Sequence, residues 1–249
     1  MILLLSIALV VGTLIGTVGV GGVLLIPALT AFAHIDVHQA MATALFTFIF
    51  TGITGTALFQ RKGTIEWRVA TPVCAGALVF AFVGAWLNSL TAARTLALLL
   101  AAIIIFAGAY TLASWRRAGN AAFEGRPRAQ RILLTGIGSF SGFGSGLTGV
   151  GGPALSVPLM MLFGFPALVS IGASQVIQII AAVSGTLGNL RFGSIDFELA
   201  APVTVVEMLG VLIGSRLAHS VNQTLLKKFV GMACMPVGLL VIARALGWL

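Results

Sequence analysis

Long apolar runs alternate with short polar breaks along the whole chain. Read from break to break, the apolar segments fall at about 1–33, 38–60, 67–88, 92–114, 129–163, 167–190, 197–218 and 223–247. A helix of about twenty apolar residues crosses the roughly 30 Å hydrocarbon core of a bilayer. The pattern therefore predicts a helical protein that spans a membrane several times. The first and fifth segments are too long for one crossing, and a glycine cluster interrupts each. In the second cluster, GFGSGLTGVGGPALSVP at 142–158, six of seventeen residues are glycine and two are proline. Such a stretch reads as a turn, yet it lies between apolar arms.

The clusters are copies of one another. Gly12, Gly16, Gly19, Gly21 and Gly22 recur 130 positions later as Gly142, Gly146, Gly149, Gly151 and Gly152. Pro27 recurs one residue further on, at Pro158. The 130-residue offset then resumes. Thr54-Gly55-Thr56 pairs with Ser184-Gly185-Thr186, and the GTIEW run at Gly63 with the GSIDF run at Gly193. Pro72, Gly84 and Gly108 pair with Pro202, Gly214 and Gly238. One offset held over so much of the chain marks an internal duplication. It divides the chain into a first repeat at 1–115, a basic cytoplasmic linker at 116–131 and a second repeat at 132–249.

Composition agrees with the pattern. The 249 residues are 59% hydrophobic and 8% charged, with a formal charge of +8. The basic residues lie between apolar segments, where they orient a membrane protein and do not point to nucleic acid. They cluster at Arg61, Lys62 and Arg68, in the central linker from Arg116 to Arg131, and at Arg216, Lys227 and Lys228. If each glycine-broken segment crosses once, the repeats are parallel and 10 of the 14 basic residues share a face. If each turns back at its glycines, the repeats are inverted, 11 share a face, and both termini lie on the opposite, periplasmic side. The count and the central glycine turns select inversion. The expected fold is an all-α polytopic membrane protein of two inverted structural repeats, each a glycine-broken helical hairpin plus three transmembrane helices.

The remaining chemistry is sparse. Cys74 and Cys234 lie in apolar runs without metal-ligand spacing. MILLLSIALVV at the start lacks the basic region of a cleaved signal. Trp67, Trp86, Trp115 and Trp248 sit near segment ends as interface anchors. His34, Asp36 and His38 form a polar loop, a weak basis for a metal site. Gly144-Ser145-Gly146 superficially resembles a serine-hydrolase motif. No embedded histidine pairs with it, since His219 is expected in a loop. No catalytic residue, metal or cofactor is expected.

GTVGVGGVLLIP at 16–27, GLTGVGGPALSVP at 146–158 and GASQVIQ at 172–178 resemble the sulfite exporter TauE/SafE family of membrane permeases, also called the TSUP family. The similarity covers nearly the whole chain. It implies a secondary transporter of small anions such as sulfite, thiosulfate or sulfoacetate in the bacterial inner membrane. The expected partners are a small anionic substrate, the lipid bilayer and a coupling proton or cation.

The residues suggest how an anion is held. Backbone broken at the midplane leaves unpaired N–H groups at half-helix starts, carrying partial positive charge. Gly19, Gly21, Gly22, Gly149, Gly151 and Gly152 are candidates to line one central site, with hydroxyls from Thr17, Ser145 and Thr148. Ser174, Gln175 and Gln178 add polar groups, the two amides three apart on one helix face. Their first-half counterparts include Leu45 and Phe48, so the site is asymmetric. The competing reading is close packing through Gly12-x-x-x-Gly16 and Gly142-x-x-x-Gly146. Thr43, Thr47 and Thr51 either face the same cavity or bond back to their own helix. Glu207 is the one carboxylate well inside a segment, and a candidate to carry a coupling proton. A passive anion channel is the alternative function.

Overall fold

The computed structural model describes residues 2–113, 121–220, 235–243 and 245–247. Trp115, Trp248, Arg116, Arg117, Lys227, Lys228, Arg244, Cys234 and much of the last apolar segment lie outside them, as does the side chain of His219.

The described chain is helical. α1 (Ile2–Val18) ends at the first glycine cluster, where a short 3-10 turn (Gly21–Leu24) leads into α2 (Leu25–Phe32). α3 (Val37–Arg61), α4 (Trp67–Leu90) and α5 (Ala93–Ala113) complete the first half. α6 (Pro127–Thr148), α7 (Pro153–Leu162), α8 (Ala167–Phe192) and α9 (Phe197–Ser220) follow, then α10 at 235–243. Helix α6 begins inside the expected linker, so Arg128 and Arg131 occupy its first turns. Arg216 and His219 belong to α9, which runs past the expected loop boundary. α3, α4, α8 and residues Phe197–Ala218 of α9 are long and apolar enough to cross a membrane. With 8 and 10 residues, α2 and α7 rise only about 12 and 15 Å, too little for a crossing.

Glycine sets which helices touch. Gly12 lies on the Glu207 backbone and Gly16 on Val211 and Ser215. Shifted by 130 on both sides, the same pairs are Gly142 on Ala77 and Gly146 on Ala81 and Ala85. Helix α1 therefore packs parallel to α9 as α6 packs parallel to α4, backbone on backbone. This is the small-residue contact that a membrane favours, because lipid removes the hydrophobic drive between helices. The close-packing reading of Gly12, Gly16, Gly142 and Gly146 thus describes these positions.

The equivalent helices α3 and α8 cross each other. Leu45 meets Gly185, Gly52 meets Ile179, Gly55 meets Gln175 and Phe59 meets Gly172, so the pair runs antiparallel. The contacts Leu45–Gly185 and Gly55–Gln175 exchange under the 130-residue shift. Gln178 bonds to the carbonyl of Phe48, its own equivalent, at 3.3 Å. The contacts at this crossing are thus reciprocal between equivalent positions.

Chain direction follows. Asp196 N donates to Thr43 Oγ1 at 3.1 Å and Lys62 Nζ to the Ser215 carbonyl at 3.0 Å, so α9 runs with α3. Since α1 also runs with α9, α1 and α3 share a direction and the chain between them turns back. Gly21 accordingly lies against Val11 and Ile15 of α1. In the second half Leu155 of α7 folds back onto Gly144 of α6.

Candidate functional site

The second glycine turn is built by backbone conformation. α6 ends with Gly149 at φ 67°, a left-handed C-cap whose N–H donates to the Ser145 carbonyl at 2.8 Å. Gly151 follows at φ 88°, and Pro153 opens α7 with its fixed φ. A side chain in the left-handed region costs about 1–2 kcal/mol, so glycine suits both places. Gly19 closes α1 in the same way at φ 79°.

The two turns meet. Gly22 abuts the Val150 carbonyl, and Gly19 faces Pro153 and Val157 of α7. Between them lies a crevice lined by Ile15, Gly19, Gly22, Phe48, Val150, Pro153 and Gln178, with no room for a water molecule. The Phe48 ring closes it: its edge packs against both Gly22 and Gly151. The sequence reading puts one central anion site between the turns; in the structure the ring of Phe48 lies there.

The predicted polar residues are gathered around this junction and buried, but most are already engaged. Thr17 Oγ1 donates to the Thr13 carbonyl at 2.8 Å and Thr148 Oγ1 to the Gly144 carbonyl at 2.6 Å. Ser174 Oγ donates to the Ile171 carbonyl at 2.7 Å, with its oxygen beside Gly19. Gln175 Nε2 donates to the Ile15 carbonyl at 3.1 Å, and Gln178 Nε2 to Thr51 Oγ1 at 2.7 Å. Ser145 Oγ and Gln175 Oε1 are buried without a hydrogen-bond partner, as are Ser141 Oγ and Ser156 Oγ on the arms of the second hairpin. A buried hydroxyl left unpaired costs about 1–3 kcal/mol. The free serine hydroxyls, with the first N–H groups of α7 that have no carbonyl one turn earlier, are donors available to an oxyanion.

Glu207 lies away from the crevice, fully buried between α1 and α3. Neither carboxylate oxygen has a hydrogen-bond partner. Thr47 is next to it, but its hydroxyl donates to the Ala44 carbonyl at 2.9 Å. Thr51 likewise bonds back to Phe48, at 3.4 Å. Asp36 caps α3 by accepting from Gln39 N at 3.0 Å, and His38 Nδ1 lies 3.0 Å from Asn88 Oδ1. Among the described residues no three His, Cys, Asp or Glu side chains converge.

Two residues were missed from sequence. Asn88, near the end of α4, donates to the Leu147 carbonyl at 2.7 Å and so ties down the last turn of α6 before Gly149. A lone asparagine in an apolar run was its only signal. Phe48 gave none beyond its place opposite Gln178.

Apolar crossing helices and paired broken hairpins together define a polytopic membrane protein. The sulfite exporter TauE/SafE family model matches residues 4–241, and the chain belongs to that family. It is 28% identical over 248 residues to the probable membrane transporter protein YdhB of Bacillus subtilis, covering 96% of this chain and 99% of the relative. YunE of the same organism, likewise a probable membrane transporter protein, is 24% identical, covering 96% of this chain and 95% of the relative. A probable membrane transporter protein of Methanocaldococcus jannaschii, MJ0441, is 21% identical over 91% of this chain and 90% of its own. No solved structure matches the chain. The family is one of transporters, and the chain is read as a transporter and not as an enzyme on that ground.

Proposed function

We propose that the protein is a secondary transporter for a small sulfur-containing or organic anion, such as sulfite, thiosulfate or sulfoacetate, in the bacterial inner membrane. The anion is held where the two glycine turns meet, by N–H groups of Gly151 and Gly152 at the start of α7 and of Gly21 and Gly22 in the first turn. The hydroxyls of Ser145 and, after rotation, Thr17, Thr148 and Ser174 add donors, and Gln175 and Gln178 flank the site. The observation that carries this reading is the junction itself. Two copies of one motif, far apart in sequence, touch beside the crossing of α3 and α8.

The antiparallel crossing of the equivalent helices α3 and α8 supports two halves inverted across the membrane, with both termini in the periplasm. Inverted halves around a central site suit alternating access. The crevice is closed by the Phe48 ring, which must move for the anion to enter.

Gly151→Ala tests the reading. The substitution forces a side chain into φ 88° and presses it on the Phe48 ring, 3.1 Å away. Counterflow of sulfite, thiosulfate or sulfoacetate in reconstituted vesicles is expected to be lost, while the variant still reaches the membrane. Full counterflow by the variant sinks the proposal, and unsaturable flux through the wild type replaces a carrier by a channel.

A further inference from the structure

The 130-residue repeat supplies an internal control for Glu207. Helix α9 packs on α3 as α4 packs on α8. At the second contact the equivalent side chains are Cys74, Ala77, Ala173 and Ile177. Ala77, Ala173 and Ile177 share one buried hydrophobic cluster, and Cys74 packs against it. At the first contact the same four places hold Thr204, Glu207, Thr43 and Thr47, all buried. The backbone arrangement therefore works without polar groups here, yet one copy carries four.

These groups are also under-bonded. Both Glu207 carboxylate oxygens and Thr204 Oγ1 have no hydrogen-bond partner. Thr204 and Glu207 are three apart on one buried face of α9. Threonines inside helices usually bond back to the preceding turn, as Thr13 and Thr71 do; Thr204 does not. Thr47 donates to its own helix, which leaves its oxygen lone pairs free beside the carboxylate. An unpaired buried carboxylate costs several kcal/mol in an apolar setting. Unpaired oxygens of a carboxyl and a hydroxyl form an incomplete ligand shell.

We propose that Glu207, Thr204 and Thr47 bind a sodium-like monovalent cation between α9 and α3. Hard cations take oxygen ligands, and a single carboxylate matches a single positive charge. A proton needs only the carboxylate; the free hydroxyl of Thr204 is what a larger cation uses. The position suits coupling. Thr47 adjoins Phe48, which closes the anion crevice, and Gly12 of α1 lies on the Glu207 backbone seven residues before the Gly19 turn. A cation there contacts α3 directly and lies one residue's backbone away from α1, the helix that ends at the Gly19 turn.

The test uses the purified full chain in detergent and needs no anion substrate. Thermal unfolding is compared in sodium chloride, potassium chloride and choline chloride at equal ionic strength. A ligand that binds only the folded state raises the melting temperature saturably, here by about 5 °C in sodium for the wild type. Glu207→Gln and Thr204→Cys, the latter matching Cys74 in the other copy, are expected to lose the rise. Equal melting of the wild type in sodium and choline overturns the proposal, as does a full sodium response in Glu207→Gln. A carboxylate that carries only a proton gives the first of these results, with melting that follows pH alone. Gly151→Ala is expected to keep the sodium response, so the failure of either proposal leaves the other standing.

Discussion

The contact of α3 with α9 and that of α8 with α4 have the same place in the two halves and opposite chemistry. At the places matching Glu207 and its threonines the α8–α4 contact is apolar: Val73, Ala77 and Ala81 pack with Ala173, Ile177 and Ala181, and Ser184 Oγ donates to the Leu78 carbonyl elsewhere along it. The α3–α9 contact holds Glu207 and three threonines. The two contacts share a backbone arrangement, since Gly12 and Gly142 make the same contact in each. Their side chains differ. One contact rests on packing, and the other holds groups that cost stability.

The difference is broken most severely by Ala77→Glu, which writes the α9 chemistry into the apolar copy. No threonines wait there, and Gly142 already lies on the Ala77 backbone. An uncompensated buried charge costs about 3–5 kcal/mol, and overpacking adds about 1–3. The variant is expected to yield no monodisperse protein on size exclusion, whereas Glu207→Ala, the reverse change, yields wild-type amounts. Equal yields from the two variants remove the distinction between the contacts.

A smaller effect is expected at the glycine turns, which are tied by non-equivalent residues. The helix before the first turn is held by Gln175 at the Ile15 carbonyl, and the helix before the second by Asn88 at the Leu147 carbonyl. Asn88 is 5% exposed, so its loss leaves a buried carbonyl with one partner fewer. Asn88→Ala is expected to lower stability by about 1–3 kcal/mol, read as a fall in melting temperature. No fall means that Asn88 does not hold the second turn.

The 130-residue offset made much of this legible. It was written in glycines and prolines, whose roles depend on backbone shape, and shape is what the copies share. Seven of the eight apolar segments became helices or helical hairpins near their expected bounds; most of the eighth lies outside the described residues. The turns at Gly19 and Gly149 fell where the clusters promised. The facing partners were not legible, because a repeat says that two elements are alike and not which elements they touch. That Gly12 rests on Glu207, and that Phe48 fills the space between the turns, depends on contacts across the chain. Asn88 and Thr204 looked like ordinary polar residues in apolar runs. Their roles lie in a bond made at Leu147 and a bond not made at all.

The same glycine-rich helix also predicts where substitution does least. Gly138, Gly142 and Gly146 point α6 at α4, and a methyl on any of them meets backbone. Gly136, two residues before Gly138 and on the opposite face of the helix, has nothing within 4 Å of where its methyl would lie. Its equivalent, Ser6, is exposed as well, so both copies leave this face to the surroundings. Alanine is about 1 kcal/mol better than glycine in a helix. Gly136→Ala is therefore expected to leave counterflow unchanged and to raise the melting temperature by no more than a few degrees. A marked loss of stability would mean that this outward face is covered, and that the glycines of α6 serve more than its contact with α4.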